Sequence, residues 1–251
     1  MTMQAIETLP EEPLVGSNGA PSVRANRYGE QFVQQYTLER LALEGSLFRV
    51  RNATIATGIA QTANTTQDTA KPFICGRNPT ISKRSVYLHR LYLRPTAVSS
   101  SQTTQRIDVI TDTGGLRASA GTDYNIKVTG LNASVGYNNL KGDVSRASVL
   151  DQLYVGVPVW TPGTNQQLAA HFSPRTTTIP VIGDEFIINF GSLFAGGPVP
   201  TLTPVGTTID TFVKNEPPVI VPPGCGFEVV LWAASIAGAM SWEFDLIWSE
   251  R

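Results

Sequence analysis

Few side chains of this sequence could support metal or nucleophilic chemistry. The chain has two histidines, His89 and His171, and two cysteines, Cys75 and Cys225. Their nitrogen and sulfur atoms suit zinc, but structural zinc sites usually contain ligands that lie only a few residues apart, and these four are widely separated. A non-haem iron site typically begins with a His-x-Asp or His-x-His pair, and neither occurs. The sequence therefore predicts no metal site and no other cofactor.

The segment VIVPPGCGFEVVLWAAS (219–235) places Cys225 between two glycines. A nucleophilic cysteine needs a histidine or a helix N-terminus nearby to lower its pKa, and the flanking residues suggest neither. Pro222 and Pro223 favour an extended approach instead, and the glycines favour a tight turn. We therefore expect Cys225 to be an inert small residue in a turn that starts a β-strand.

Sequence motifs of hydrolases and of nucleotide-binding proteins do not occur. There is no G-x-S-x-G nucleophile elbow, and no glycine-rich loop continues into Gly-Lys-Ser or Gly-Lys-Thr. Glu243 and Asp245 share one strand face, where we expect them to face solvent rather than to cleave sugars. His89 lies among apolar neighbours and is expected to be structural, and His171 is expected in a loop or at a strand edge. We predict that the chain is not an enzyme; a metal-free enzyme with paired carboxylates is an alternative.

The composition limits the possible partners. The chain has 251 residues, of which 41% are hydrophobic, and its 19 basic and 20 acidic residues nearly cancel. A nearly neutral protein has no overall field that attracts nucleic acid or an anionic membrane, so we expect neither as a partner. No apolar run is long enough to span a bilayer. The acidic residues near the N-terminus do not fit a signal peptide, so secretion is not expected.

The hydrophobic pattern predicts an arm, one helix and many strands. Residues 1–27 contain three prolines and few large apolar groups, which is typical of an extended arm. Residues 28–44 have near-helical apolar spacing, and Gly45 is a suitable helix stop. From residue 46 onward the pattern has period two, which predicts strands. The predicted strands span residues 46–55, 85–95, 104–112, 124–130, 151–160, 184–191, 227–235 and 239–251.

The connections between the predicted strands indicate the fold class. Residues 112–149 and 192–224 are long and rich in turn-forming residues, whereas residues 236–238 form a short hairpin connection. About eight strands with such uneven connections fit a jelly roll better than an up-and-down barrel. The sequence therefore predicts an all-β protein: an N-terminal arm with a short helix over residues 1–45, and a jelly-roll-like antiparallel β-sandwich over residues 46–251.

The charges are distributed unevenly along the chain. Residues 71–94 contain six basic residues and no acid, whereas the charged residues of the last two predicted strands are mostly acidic. This run could form a basic edge that docks an acidic neighbour or a sister subunit, with Arg77, Lys83 and Arg84 as the contact residues. Alternatively, it could be a solvated face that the chain's own C-terminal strand neutralises. Its aromatic residues have the spacing of core residues, which argues against stacking on nucleic-acid bases.

Two stretches resemble structural proteins of tailed-phage virions. The first is KPFICGRNPTISKRSVYLHRLYLRP (71–95), a short strand, an Asn-Pro-x-x-Ser-Lys turn and a strand of alternating large residues. Asn78, Pro79, Ser82 and Lys83 occupy the turn positions. The second is the Pro-Gly turn and final hairpin over residues 219–251. Together they cover about a quarter of the chain. The resemblance is strongest to head decoration (cement) proteins, and it implies a β-sandwich that oligomerises, usually as a trimer, on the capsid or the tail.

From the resemblance and the residues together we expect a non-enzymatic capsid decoration protein. It would bind the major capsid protein and stabilise the coat lattice as a homotrimer on the virion surface, after assembly in the host cytoplasm. The expected contact elements are residues 1–27 and the basic residues Arg77, Lys83 and Arg84. The alternative is a tail or receptor-binding protein of the same fold, whose long loops would bind a host glycan or protein.

Overall fold

The structure of the protein is a computed structural model. It describes residues 41–42, 44–52, 57–99, 102–124, 148–173, 180–191, 211–238 and 240–251. All of these belong to the unit Leu41–Arg251. The arm predicted for residues 1–27 and nearly all of the helix predicted for residues 28–44 lie outside the described residues. Leu41 and Ala42 are helical, and Gly45, the predicted stop, has a φ of 66°.

The described part of the chain is almost entirely β-structure, as the sequence predicts. It contains one turn of 3-10 helix, Thr80–Ser82. Within the described residues, no helix has the length and apolarity needed to cross a membrane. The strands are β1 (Leu47–Arg51), β2 (Ile59–Ala60), β3 (Ile74–Arg77), β4 (Val86–Ala97), β5 (Gln102–Thr113), β6 (Leu116–Ser119), β7 (Thr122–Asp123), β8 (Gln152–Val155), β9 (Val159–Thr161), β10 (Thr164–Phe172), β11 (Glu185–Phe190), β12 (Thr211–Glu216), β13 (Val219–Val221), β14 (Cys225–Ile236) and β15 (Ser241–Glu250).

Eight of these strands wind as a jelly roll. In chain order they are β1, β3, β4, β5, β10, β11, β14 and β15, and they pair antiparallel from the outside inward: first with last, second with seventh, third with sixth, and fourth with fifth. Two further antiparallel pairs, β4–β15 and β5–β14, join them into two four-stranded sheets. The first sheet has the order β1-β15-β4-β11, and the second has the order β10-β5-β14-β3. This nested pairing is that of a jelly-roll sandwich.

The remaining strands extend or cover the two sheets. In the first sheet β12 lies parallel to β11, while β13 pairs with β4 and β2 pairs with β15. In the second sheet β8 and β7 continue beyond β3. The strands β6 and β9 form a separate two-stranded sheet.

The core lies between the two sheets and is rich in aromatic rings. Along β15, Trp242, Phe244 and Trp248 point inward and are at most 1% exposed. Phe186 of β11 stacks on Phe212 with ring centroids 5.3 Å apart, and its ring meets the edge of Trp242 at 5.6 Å. Each such ring contributes roughly 1.5–3 kcal/mol through burial alone, so the core holds the two sheets together.

The structure differs from the sequence prediction in several segments. The strand predicted for residues 151–160 is two strands, because Gly156 turns the chain with a φ of 104°. The strand predicted for residues 124–130 lies outside the described residues except for Tyr124, which is not in a strand. Strand β10 was not predicted, because Thr164–Leu168 is exposed and has no apolar alternation. Strands β12 and β13 were not predicted because they lie in or beside a segment rich in proline and glycine.

Candidate functional site

The two turns that carry the virion resemblance lie side by side at one end of the sandwich. The side-chain amide of Asn78 donates hydrogen bonds to the carbonyl oxygens of Arg84 (2.8 Å) and Val221 (2.9 Å). The backbone N–H of Asn78 donates to the Cys225 carbonyl (2.9 Å), and the Gly224 N–H donates to the Asn78 carbonyl (2.8 Å). Asn78 therefore joins the turn after β3 to the turn before β14.

The first turn is held by its own sequence as well. Pro79 has an extended backbone that leads into the single 3-10 turn, and the Ser82 N–H donates to the Pro79 carbonyl (3.0 Å). The Ser82 hydroxyl donates to the Arg84 carbonyl (3.0 Å). Lys83 has a φ of 55°, a left-handed conformation that costs a non-glycine residue about 1 kcal/mol. The surrounding hydrogen bonds maintain that conformation, so the turn has a defined shape.

The side chains of this turn project into solvent. Ile81 is 86% exposed, the highest value among the described large hydrophobic residues. Lys83 and Arg84 are also exposed, and neither forms an ion pair with another described residue. This defined turn therefore presents one large apolar group beside two cations to solvent.

The third predicted contact residue, Arg77, has a different environment. It ends β3, its backbone pairs with Gly226 and Gln152, and its guanidinium lies 4.0 Å from the Asp151 carboxylate. Its side chain is only 28% exposed. The structure thus brings Lys83 and Arg84 together in the exposed turn and places Arg77 in an ion pair at the base of that turn.

The rest of the basic run does not form one surface. Lys71 pairs with Asp68 at 3.5 Å, and Arg94 of β4 pairs with Glu243 of β15 at 3.7 Å. The pairing of Arg94 is the neutralisation by the C-terminal strand that the alternative interpretation predicted. Arg77, Arg94 and Lys71 are thus paired with acids of this chain, whereas Lys83 and Arg84 are exposed in the turn.

The outer face of the first sheet, which points away from the core, is made of ion pairs and hydrogen bonds. Asp245 accepts hydrogen bonds from the guanidinium of Arg49, one of them from Nε at 2.9 Å. Ser249 is fully buried, and its hydroxyl lies 2.8 Å from Nε2 of His89. Burial, assisted by the charge of Arg251, lowers the pKa of His89 to about 4. His89 is therefore a neutral structural histidine at neutral pH, as predicted.

The outer face of the second sheet contains a buried carboxyl pair that the sequence did not reveal. Glu228 of β14 is fully buried and Asp112 of β5 is 2% exposed. Neither Glu228 oxygen has a hydrogen-bond partner of ordinary geometry among the described residues when both acids are ionised. Burial, together with the hydrogen bond and the charge of Asp112, raises the pKa of Glu228 to about 9. The Glu228 carboxyl is thus neutral at pH 7 and donates its proton toward Asp112.

The β6–β9 sheet encloses this pair. One oxygen of Asp112 accepts a hydrogen bond from the Gly163 N–H (2.7 Å) and a longer one from the indole N–H of Trp160 (3.4 Å). The same indole N–H lowers the pKa of Glu228, but burial outweighs it. Trp160 itself is 1% exposed. A substrate therefore has no access to either carboxyl in this conformation.

A third acid on the same face, Asp108, orients His171. Asp108 of β5 accepts hydrogen bonds from the indole N–H of Trp232 (2.6 Å) and the side-chain amide of Gln67 (3.0 Å). Its other oxygen lies 2.5 Å from Nδ1 of His171, directly opposite on β10. His171 occupies the edge strand of the second sheet, one of the two placements that the sequence analysis anticipated.

The four candidate zinc ligands are divided between the two sheets and between the two faces of the second sheet. Cys75 faces outward from the second sheet next to Glu228, whereas Cys225 packs against the core on the other side of that sheet. His89 belongs to the first sheet. The described residues contain no group of three potential ligands that could hold a metal ion. Burial raises the pKa of the Cys75 thiol, which keeps it protonated, and both cysteines are free.

Comparisons with protein-family models, with characterised proteins and with solved structures give no significant match to this chain.

Proposed function

We propose that this chain is a non-enzymatic structural protein of a phage virion, a capsid decoration (cement) protein that binds and stabilises the coat-protein lattice. Its partners would be the major capsid protein and further copies of itself in a homotrimer. The observation that supports this proposal best is the exposed end of the sandwich. There Asn78 joins the two turns that resemble those of tailed-phage virion proteins, and a large apolar side chain and two cations project from a defined backbone.

The polar clusters of the described residues favour binding over catalysis. The Asp112–Glu228 pair is enclosed, and Asp108 is saturated by three neighbouring groups. His89 is neutral and hydrogen-bonded inside the first sheet. General acid–base catalysis needs titratable groups within reach of a substrate, and these groups serve to connect strands.

The jelly-roll winding also suits a lattice protein. Jelly rolls recur in viral capsid domains, lectin domains and cupins. The fold by itself does not define a function, so the proposal depends on the exposed end described above.

The number of copies of this chain per purified virion tests the proposal. Quantitative mass spectrometry against the major capsid protein should give hundreds of copies if the chain decorates the shell. A handful of copies would instead favour the tail or receptor-binding alternative. Absence of the chain from purified particles would refute both virion functions.

A further inference from the structure

We propose that the turn Pro79–Arg84, which we call the knob, inserts into an apolar socket rimmed by carboxylates on the coat protein. This inference rests on the proposed decoration function and deepens it, since it identifies both the docking element and the chemistry of the surface that receives it.

The centre of the knob is apolar. Ile81 is 86% exposed, whereas the other exposed large hydrophobic residues of the described chain range from 42% to 58%. Transfer of a whole aliphatic side chain from water to an apolar site strengthens binding by about 10- to 100-fold. Ile81 therefore offers the largest gain of any single exposed side chain that the structure describes.

The rim of the knob is positive. Lys83 and Arg84 lie two and three positions after Ile81. The main chain of Arg251 hydrogen-bonds to that of Ser85 at the foot of the knob (2.7 and 3.1 Å). Two acids close to the foot are already engaged. Asp151 faces Arg77, and the buried carboxylate of Glu250 accepts a hydrogen bond from the Val149 N–H (2.9 Å). A complementary surface must therefore supply its own carboxylates around the apolar centre.

The shape of the knob is fixed before binding. Asn78 and Ser82 both donate side-chain hydrogen bonds to the Arg84 carbonyl, which hold its two ends together, and Lys83 has the left-handed conformation. Little conformational entropy is lost when such an element docks, so its few side chains can act as a hot spot. Nucleic acid is a poorer fit, because the knob has no aromatic ring for base stacking and only two cations to contact phosphates.

The number of copies of each knob variant per purified particle tests the inference. We expect Ile81→Asp to reduce the copies per particle by about 30-fold when it competes with the wild-type chain during assembly. Ile182→Asp is the matched control, because Ile182 is also an exposed isoleucine in a turn, at 54% exposure. It should be incorporated as well as the wild-type chain. Thermal melting of both variants confirms that each is folded.

Carbodiimide cross-linking of intact particles tests the chemistry of the socket. The reagent joins an amine directly to a carboxylate, so Lys83 should be linked to an aspartate or glutamate of the coat protein, and Lys83→Arg should remove that link. A link to another copy of this chain or to nucleic acid would overturn the inference.

The failures of the two proposals can be distinguished. Absence of the wild-type chain from particles refutes the decoration function and the inference with it. Normal incorporation of Ile81→Asp alongside the wild-type chain refutes the knob alone and leaves the decoration function intact.

Discussion

The acidic side chains on the outer faces of the two sheets have opposite kinds of partner. On the first sheet, Asp245 and Glu243 are matched by the arginines Arg49 and Arg94 of neighbouring strands. On the second sheet, Asp112 and Glu228 face each other beneath the β6–β9 sheet. The first arrangement leaves two ion pairs partly in solvent, whereas the second forces one acid to remain protonated.

The difference shows that what covers a strand position decides the protonation state of its side chain. All four acids occupy outward positions of jelly-roll strands, where alternation alone would predict solvated carboxylates. Segment 61–72 and the β6–β9 sheet cover the second sheet. The backbone N–H of Trp160 donates a hydrogen bond to the Ala70 carbonyl (2.9 Å) and so joins the two. Desolvation disfavours the charged form of a carboxyl, and in the described chain no arginine reaches Glu228 to offset it.

The largest expected effect is that of Glu228→Gln on the pH dependence of stability. The pKa of Glu228 is about 9 in the folded state against 4.5 for the free side chain, so the folded protein keeps a proton that the unfolded chain releases. The contribution of Glu228 to the free energy of unfolding should therefore be greatest below pH 4.5 and fall as the pH rises toward 9. Glutamine removes this loss and can still donate to Asp112, which should stabilise the protein by about 3 kcal/mol at pH 7.

Denaturant titrations at pH 5, 7 and 9 measure this effect. The advantage of Glu228→Gln should grow steadily from pH 5 to pH 9. Glu243→Gln is the control on the first sheet and should produce no such trend. A Glu228→Gln protein that is less stable than the wild type at pH 7 would show that Glu228 is ionised, and the contrast between the two faces would fail.

A smaller effect, about 1–3 kcal/mol, is expected when the close packing over the acid pair is disturbed. A Cβ on Gly226 would lie 2.7 Å from Oδ1 of Asp112 and 3.0 Å from Cζ2 of Trp160. Gly226→Ala should therefore lower the free energy of unfolding, because a carboxylate and an indole must both shift. At Gly238 an added Cβ meets nothing within 4 Å, so Gly238→Ala should change stability by no more than about 0.5 kcal/mol. Equal effects of the two substitutions in chemical denaturation would contradict the close packing.

The sequence predicted the first sheet better than the second, for a physical reason. Strands β4, β11 and β15 alternate between core and outer side chains, so their period is visible in the residues. Strand β10 carries polar residues exposed at the sheet edge, and its pairing with β5 depends on partners that are distant in the chain. The jelly-roll class could still be predicted, because the long strands and uneven connections belong to few architectures.

The candidate site was predictable only in part. The basic run and the Asn-Pro turn are local features, so the sequence alone could single out residues 78–84 as a candidate. The hydrogen bond that joins this segment to the second turn links Asn78 to Val221, which are 143 positions apart and give no local signal. The Asp112–Glu228 pair likewise joins two acids far apart in the chain, so any pair of acids would have been an equal candidate.

The smallest expected effect concerns the ion pairs of the first sheet. Arg49 binds Asp245 through more than one N–H, but its side chain is 39% exposed, so water screens the interaction. Arg49→Met should lower the free energy of unfolding by about 0.5–1 kcal/mol at low ionic strength, because Asp245, at 12% exposure, loses its partner while it stays largely desolvated. Arg94→Met should lower the free energy of unfolding by less, since Arg94 is 44% exposed and lies 3.7 Å from Glu243.

Denaturant titrations with and without molar salt measure both effects. Salt should reduce both losses of stability, because it screens partly solvated ion pairs. If the loss for Arg49→Met exceeded the gain for Glu228→Gln and did not respond to salt, the first sheet would contain the more strongly desolvated charges, and the contrast between the two faces would be reversed.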